Sequence, residues 1–242
     1  MKKVLFLLPL LAALFVFSGC SDDEQGGISL NESAITLYSD DTAHLEANDN
    51  VDWLSESEFV ASVDANGLVT GNHVGTTNII ASNGSGTSKC TVEVIPRLNT
   101  FEEPVVDFGA TKEEVKSKES RTMLSEIDDA LIYMGENSAL NMVIYMFENG
   151  RLYASGAAVP FAYTSELTYF LLERYQVVGE ENGMYMFINN DLDKYDMIVS
   201  LSVESDYILV AYGQIRTNTK AFSETDYINL KNGVKKILDA NR

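Results

Sequence analysis

Positions 4–17, VLFLLPLLAALFVF, form an unbroken apolar run between Lys2-Lys3 and Ser18-Gly19-Cys20. A bilayer-spanning helix needs about 20 apolar residues, so this run is too short for a permanent span. A positive start, a short apolar core and small residues behind it form the layout of a secretory signal peptide. From Ile28 the pattern changes to short, near-alternating β-branched runs: ISL, AITLY, AHLEA, VDWLS, VASVDANGLVTGNHVGTTNIIASN and KCTVEVI. Turn residues punctuate them about every 8–12 positions, which predicts a β-sandwich over 28–96. Within it Asp64-Ala65-Asn66-Gly67 reads as a hairpin turn whose Asn-Gly pair supplies positive φ angles. Pro96 closes the last strand.

Beyond a linker at 97–105 the periodicity alternates between helix and strand. Thr111 followed by Glu114 is a capping box ahead of a short helix. Strands are expected at 129–134, 142–147 and 151–159, with Glu148-Asn149-Gly150 as a tight hairpin. A second helix runs over 164–175, with Leu167, Phe170 and Leu171 as its apolar stripe. Strands return at 175–180, 183–189, 196–203 and 207–215. The stretch 223–238 is an amphipathic helix with Tyr227, Leu230, Val234 and Ile237 or Leu238 inward. The order is helix, three strands, helix, four strands, helix. The fold class is therefore two domains, an all-β sandwich followed by an α+β domain of antiparallel sheet with helices.

Charge narrows the partners. The chain of 242 residues carries a net charge of −19, and loss of a leader holding Lys2 and Lys3 takes it to −21. Such acidity repels phosphate backbones, so nucleic acid is not an expected partner. The two cysteines are Cys20 and Cys90. A lone pair of cysteines makes no disulfide framework. Cys90 alternates with Val92 and Val94 and reads as a small buried hydrophobe.

The residues Phe17-Ser18-Gly19-Cys20 resemble the lipobox of bacterial lipoproteins. The resemblance implies cleavage before Cys20, a diacylglycerol thioether on its sulfur and an N-linked acyl chain such as palmitate. Two or more acyl chains hold a protein stably on a membrane. Ser21, Asp22, Asp23 and Glu24 then resemble the export signal of Bacteroidetes surface lipoproteins, which implies an outer-membrane location facing the cell surface. The expected divisions are a signal peptide at 1–19, a lipidated cysteine and acidic tether at 20–27, the sandwich at 28–96, the linker at 97–105 and the second domain at 106–242.

Val51-Asp52-Trp53-Leu54-Ser55, the stretch from Val60 to Gly71 (VASVDANGLVTG) and Gly75-Thr76-Thr77-Asn78-Ile79 resemble the group-2 bacterial Ig-like domain. That family implies a spacer or adhesive module without catalysis. The turn Tyr38-Ser39-Asp40-Asp41-Thr42 departs from the family pattern. Phe108 to Val115, Tyr145 to Leu152 and Leu172 to Tyr175 together resemble C-terminal domains of uncharacterised Bacteroidetes lipoproteins. The helix-then-meander repetition is similar to BamE-like and β-lactamase-inhibitor-like domains, as one unit or as two tandem copies.

Candidate chemistry is sparse. Eleven of the 12 tyrosines fall after residue 97, as interfaces for carbohydrate or protein would use them, although tyrosine is also a favoured strand residue. Trp53 could stack on a sugar but reads as core. The loop from Asn189 to Asp196 alternates carboxylates, yet Asp196 and Ser202 stand where an EF-type calcium loop needs glycine and glutamate, so a hairpin loop is expected. His44 and His73 lack metal-ligand neighbours. The acid pairs Glu102-Glu103, Asp128-Asp129 and Glu180-Glu181 lie side by side, whereas a glycosidase pair must face across a cleft. No Gly-x-Ser-x-Gly elbow is present, and Gly84-Ser85-Gly86 lacks the lysine of a phosphate loop. No catalytic residue, metal site or cofactor is expected. The chain reads as a non-enzymatic surface binding or adhesion lipoprotein for a glycan or host protein, with the sandwich as spacer. A periplasm-facing structural or envelope-assembly role and an enzyme-inhibitor-like role are the alternatives.

Overall fold

The structure is a computed structural model that describes residues 27–181, 183–215 and 228. Cys20 and the segment Ser21 to Glu24 lie outside the described residues, as does the 223–238 helix except for Ile228.

The first domain packs two sheets face to face. One has the order β1 (Ala34–Tyr38), β7 (Gly86–Ile95), β6 (Gly75–Asn83) and β3 (Asp52–Ser55), with β1 parallel to β7. The other is β2 (Thr42–His44), β5 (Leu68–Gly71) and β4 (Ala61–Val63). Alternation along β7 sends Cys90, Val92 and Val94 inward, where they meet Leu37, Leu45 and Ile79. Cys90 is fully buried in this core, and burial pushes its thiol up, which makes it an inert hydrophobe. Trp53 is half-buried and packs against the same core.

The β4–β5 turn corrects one expectation. Asn66 does not take a positive φ; Gly67 alone does, at 82°. The Asp64 carboxylate takes over the turn by accepting from the Asn66 and Leu68 amides, at 2.8 and 2.9 Å. A side chain that binds its own backbone two and four residues on replaces the second left-handed residue of a two-residue hairpin.

The second domain is built on one sheet of eight strands. Thr111 caps α1 (Lys112–Lys118) through the expected capping box with Glu114. Then come β8 (Met123–Ile127), β9 (Ala130–Met134), β10 (Met142–Glu148) and β11 (Arg151–Val159). A 3-10 turn at Phe161–Tyr163 leads into α2 (Thr164–Leu172), followed by β12 (Gln176–Glu181), β13 (Met184–Ile188), β14 (Met197–Val203) and β15 (Ile208–Gln214). The sheet order is β12-β13-β14-β15-β11-β10-β9-β8. Each half is a helix followed by a four-stranded antiparallel meander, and the halves join where β15 pairs antiparallel with β11. The helix–meander motif thus occurs twice inside one sheet.

Strand β8 is a correction, because three strands were expected in the first half. Its residues show no alternation: Met123, Leu124 and Ile127 are all exposed, and a bulge interrupts its pairing with β9. It is an edge strand recruited by β9 rather than by a buried face of its own.

Val115 of α1 and Leu167, Phe170 and Leu171 of α2 pack on one face of the sheet, against Leu131, Val143, Val199 and Val210 among others. Five tyrosines, Tyr133, Tyr145, Tyr175, Tyr207 and Tyr212, are buried. These tyrosines therefore serve the cores rather than a contact surface.

An ion cluster is buried at the margin of this core. The Arg121 side chain is 3% exposed and donates to Glu119 at 2.9 Å and to Glu136 at 2.6 Å; Glu119 is 1% exposed. Tyr145 also donates to Glu119 and accepts from the Val105 amide at 3.1 Å. Removing one partner of a buried pair strands the other charge, so Arg121→Met should lower stability by about 3 kcal/mol. The double variant Arg121→Met/Glu119→Gln should recover much of that in urea unfolding. A cost for the single change below about 1 kcal/mol would show that the pair is solvated.

Candidate functional site

Residues 97–105 join the domains as an ordered strap rather than a loose linker. At its start, the Glu173 carboxylate accepts from the amides of Arg97 and Leu98, at 3.0 and 3.2 Å. Glu173 is the C-cap of α2, and its carbonyl accepts from the Val74 amide of the first domain at 2.7 Å. Arg174 lies over the Phe170 ring at 3.7 Å and donates to the Leu98 carbonyl at 3.0 Å. Downstream, the Phe101 ring packs on Phe170 with centroids 4.6 Å apart. Asn137 donates to the Thr100 carbonyl, Glu136 accepts from the Glu102 amide, and Ser155 donates to the Val105 carbonyl. Arg97 of the strap pairs with Asp41 of the first domain at 2.5 Å and covers the Tyr38 ring at 4.4 Å.

These contacts frame a cleft of about 390 Å³ between the domains. Ser39, Asp40, Glu58, Phe59, Asn72 and His73 line it from the sandwich; Leu172, Gln176 and Asp191 line it from the second domain. The sandwich wall is built by the turn whose sequence departs from the Ig-like pattern. Asp40 sits at φ 67°, its amide bonds to the Gly71 carbonyl at 2.8 Å, and the Ser39 hydroxyl donates to the Asn72 carbonyl at 2.7 Å. Asn72 in turn donates to the Glu58 carbonyl at 2.7 Å. His73 stacks flat on Phe59 at 4.1 Å, with its Nδ1 2.8 Å from the Phe59 carbonyl. Held this way the imidazole is a wall of the cleft. A second shallow cleft of about 330 Å³, at the other end of the sandwich, is lined by His44, Asp49, Asn50, Trp53 and Asn66 among others.

The remaining candidates from the sequence disperse. The loop from Asn189 to Asp196 is stapled by its own side chains: Asn189 accepts from the Asp196 and Met197 amides and donates to the Asp196 carboxylate. No group of three or more metal-ligating side chains comes together among the described residues. Of the acid pairs, Glu102 and Glu103 divide. Glu102 contributes backbone to the Arg121 cluster, whereas Glu103 turns inward, accepts from the Tyr175 hydroxyl at 2.7 Å and lies 3.5 Å from Arg174. Sequence reading missed Glu103 and Glu173 because each is one of two adjacent polar residues; only position against α2 separates them.

Residues 28–94 match the bacterial Ig-like domain (group 2). The Ig-like sandwich expected from the sequence is the domain found, and a sheet-rich domain follows it. No curated protein matches the sequence. Among solved structures, domains 5–6 of the S-layer protein SbsC align at 13% identity over 79% of this chain and 85% of that one, with a TM-score of 0.24. Domains 4–9 of the surface layer protein SbsC align at 13% identity over 79% of this chain and 27% of that one, with a TM-score of 0.24. A SusE-like surface located polysaccharide binding protein from the Bacteroides thetaiotaomicron heparin utilisation locus aligns at 11% identity over 79% and 35%, with a TM-score of 0.22. At these scores the superpositions carry no argument about the function of this chain.

Burial raises the Glu103 carboxyl above its ordinary value of 4.5, against the opposing pull of Tyr175 and Arg174. The Tyr175 and Tyr212 phenols beside it are pushed up by burial and then by its charge. A carboxyl that holds its proton more tightly folded than unfolded stabilises the fold at low pH. That contribution is lost as pH rises from 4.5 through the folded value. Glu103→Gln should therefore flatten the decline of Tm with pH above 4.5, since the amide still accepts from Tyr175. An unchanged slope would place the pH dependence elsewhere.

Proposed function

We propose that the chain is a surface-exposed bacterial lipoprotein that binds neutral glycans without catalysis, in the cleft between its two domains. The observation that supports this reading is the cleft itself, a polar concavity whose walls come from different domains held by a strap with buried charged anchors. Binding sites favour domain junctions and a few fixed polar groups on a rigid frame. Here the frame presents Ser39, Asp40, Glu58, Gln176 and Asp191, side chains that pair with sugar hydroxyls. The three carboxylates in that set, in a chain of charge −19, repel a polyanionic polysaccharide, which narrows the class to neutral glycans. The histidine at the cleft is a stacked wall, which supports binding over acid–base chemistry.

Anchoring rests on Cys20 and outward sorting on Ser21 to Glu24. Proteinase K added to intact cells should degrade the protein; protection until the outer membrane is broken would place it in the periplasm and sink the surface reading. The lipid-free chain from Ser21 onward should bind at least one neutral polysaccharide on a glycan array. Gln176→Ala and Asp191→Ala should each weaken that binding about tenfold, the loss of one or two hydrogen bonds. Trp53 is the single tryptophan and lines the other cleft, so its fluorescence should stay constant on binding. Quenching of Trp53 would move the ligand there, and silence across all glycans would favour a protein partner.

A further inference from the structure

Helix α2 carries apolar residues on two sides. Leu167, Phe170 and Leu171 are buried against the sheet. Tyr169 and Leu172 lie about 150° around the helix from the middle of that stripe, and they are 64% and 42% exposed. Phe161, on the 3-10 turn that runs into α2, is 43% exposed. A helix with one face in a core normally turns polar groups to water on the other. Here those groups are few and partly engaged. The Thr164 hydroxyl donates to the Phe161 carbonyl at 2.7 Å, and the Thr168 hydroxyl donates to the Thr164 carbonyl at 2.9 Å. The one charged side chain of α2 is Glu166. Single exposed apolar residues need no explanation, but an aligned set beside a concavity marks a contact surface.

The concavity is the cleft between the domains, and the stripe is continuous with it. Leu172 lines the cleft, and Tyr169 is its neighbour one turn back on the same side of α2. Leu192, next in the chain to the lining residue Asp191, is 70% exposed. Across from them the sandwich contributes Ser39, Asp40, Glu58 and Asn72. One wall of the cleft is therefore polar, and the other is edged with apolar side chains. That apolar edge runs on out of the cleft along α2, over roughly 17 Å from Leu172 to Phe161.

We propose that α2 extends the cleft into a track for a polysaccharide chain, with Tyr169 as the platform on which a sugar ring outside the cleft stacks. This rests on the reading of the cleft as a neutral-glycan site and adds the class of ligand, an extended polymer of β-linked hexopyranoses with equatorial hydroxyls. A pyranose of that configuration has polar edges and two faces of C–H groups. A tyrosine offers its ring to such a face and its phenol to the edge. An axial hydroxyl interrupts the face and lifts the sugar off the ring. Linkage through equatorial positions keeps successive sugars in a ribbon, which a straight helix can follow, whereas an α-linked chain coils away. With Glu166 as its only charge, the track holds no cation for an acidic sugar. Hydroxyls inside the cleft meet hydrogen-bonding groups, and rings beyond it meet Tyr169 and then Phe161.

Calorimetric titration of the full lipid-free chain with cellobiose, cellohexaose and maltohexaose tests this. Cellohexaose should bind about tenfold more tightly than cellobiose, because only the longer oligomer reaches Tyr169. Tyr169→Ala should remove about that factor from cellohexaose, and Tyr169→Phe should keep most of it. Tyr185→Ala is the control, since Tyr185 is also exposed, at 49%, but sits opposite Glu180 at the far end of the β12–β13 hairpin from Gln176; it should change nothing. Equal affinity of the wild type for the two cello-oligomers would overturn the track even if Tyr169→Ala failed to fold. Equal losses in the Tyr169→Ala and Tyr185→Ala variants would overturn it too, and maltohexaose binding as tightly as cellohexaose would overturn the ligand class. Binding of no oligomer would also end the proposal. A hit elsewhere on the glycan array would then leave the cleft reading standing, whereas silence there would end both.

Discussion

The arrangement of this molecule depends on two adjacent residues at the end of α2. Glu173 and Arg174 terminate the helix, and between them they engage the amides of Arg97 and Leu98, the Leu98 carbonyl and, through the Glu173 backbone, Val74 of the Ig-like domain. Their side chains are 10% and 11% exposed and 3.6 Å apart. A charged pair that shielded is worth little as an isolated attraction; its role is to satisfy backbone groups that the strap would otherwise leave bare. The same two residues thereby fix a domain interface that polar contacts alone, exposed to water, would leave loose.

The strap is a second consequence of buried charge. Glu103 and the Arg121–Glu119–Glu136 cluster hold its downstream half against the sheet core, with Tyr145 and Ser155 reaching out from β10 and β11. Polar side chains on an otherwise apolar sheet face are expensive to bury without partners. Here the unpaired amides and carbonyls of an extended segment supply those partners. The core of the second domain and the linker thus complete each other.

Much of the fold was legible in the sequence because its signals were local. Alternation marked β7; short apolar runs on either side of the Glu148-Asn149-Gly150 turn marked β10 and β11; the spacing of Leu167, Phe170 and Leu171 marked α2; Thr111 and Glu114 marked the start of α1. Strand β8 was not legible, because an exposed edge strand has no buried face to impose a period and is defined by the neighbour it pairs with. The cleft was legible only in negative form. The turn from Tyr38 to Thr42 stood out as a departure from the Ig-like pattern, and that departure shapes one wall. The opposite wall, Leu172, Gln176 and Asp191, comes from three separate stretches with ordinary composition. Nothing in one dimension joins them to Asp40 or Glu58, since the connection is made by a carboxylate and a guanidinium acting on backbone atoms some 75 residues away.

A cleft between domains normally pays for closure when ligand arrives, since the linker must be ordered at that moment. In this chain the ordering is done by folding. Strap residues are paired before any ligand is present, and the sandwich is fastened through Val74 and Arg97 to an element whose inner face is the domain core. Pre-organisation of this kind suits a shallow, polar cleft, because each hydrogen bond contributes only about 1 kcal/mol and leaves little over for rearrangement. The acidic surface acts in the same direction. Its carboxylates repel anions within about 8 Å at physiological salt, so a neutral surface meets the cleft more readily than an anionic one.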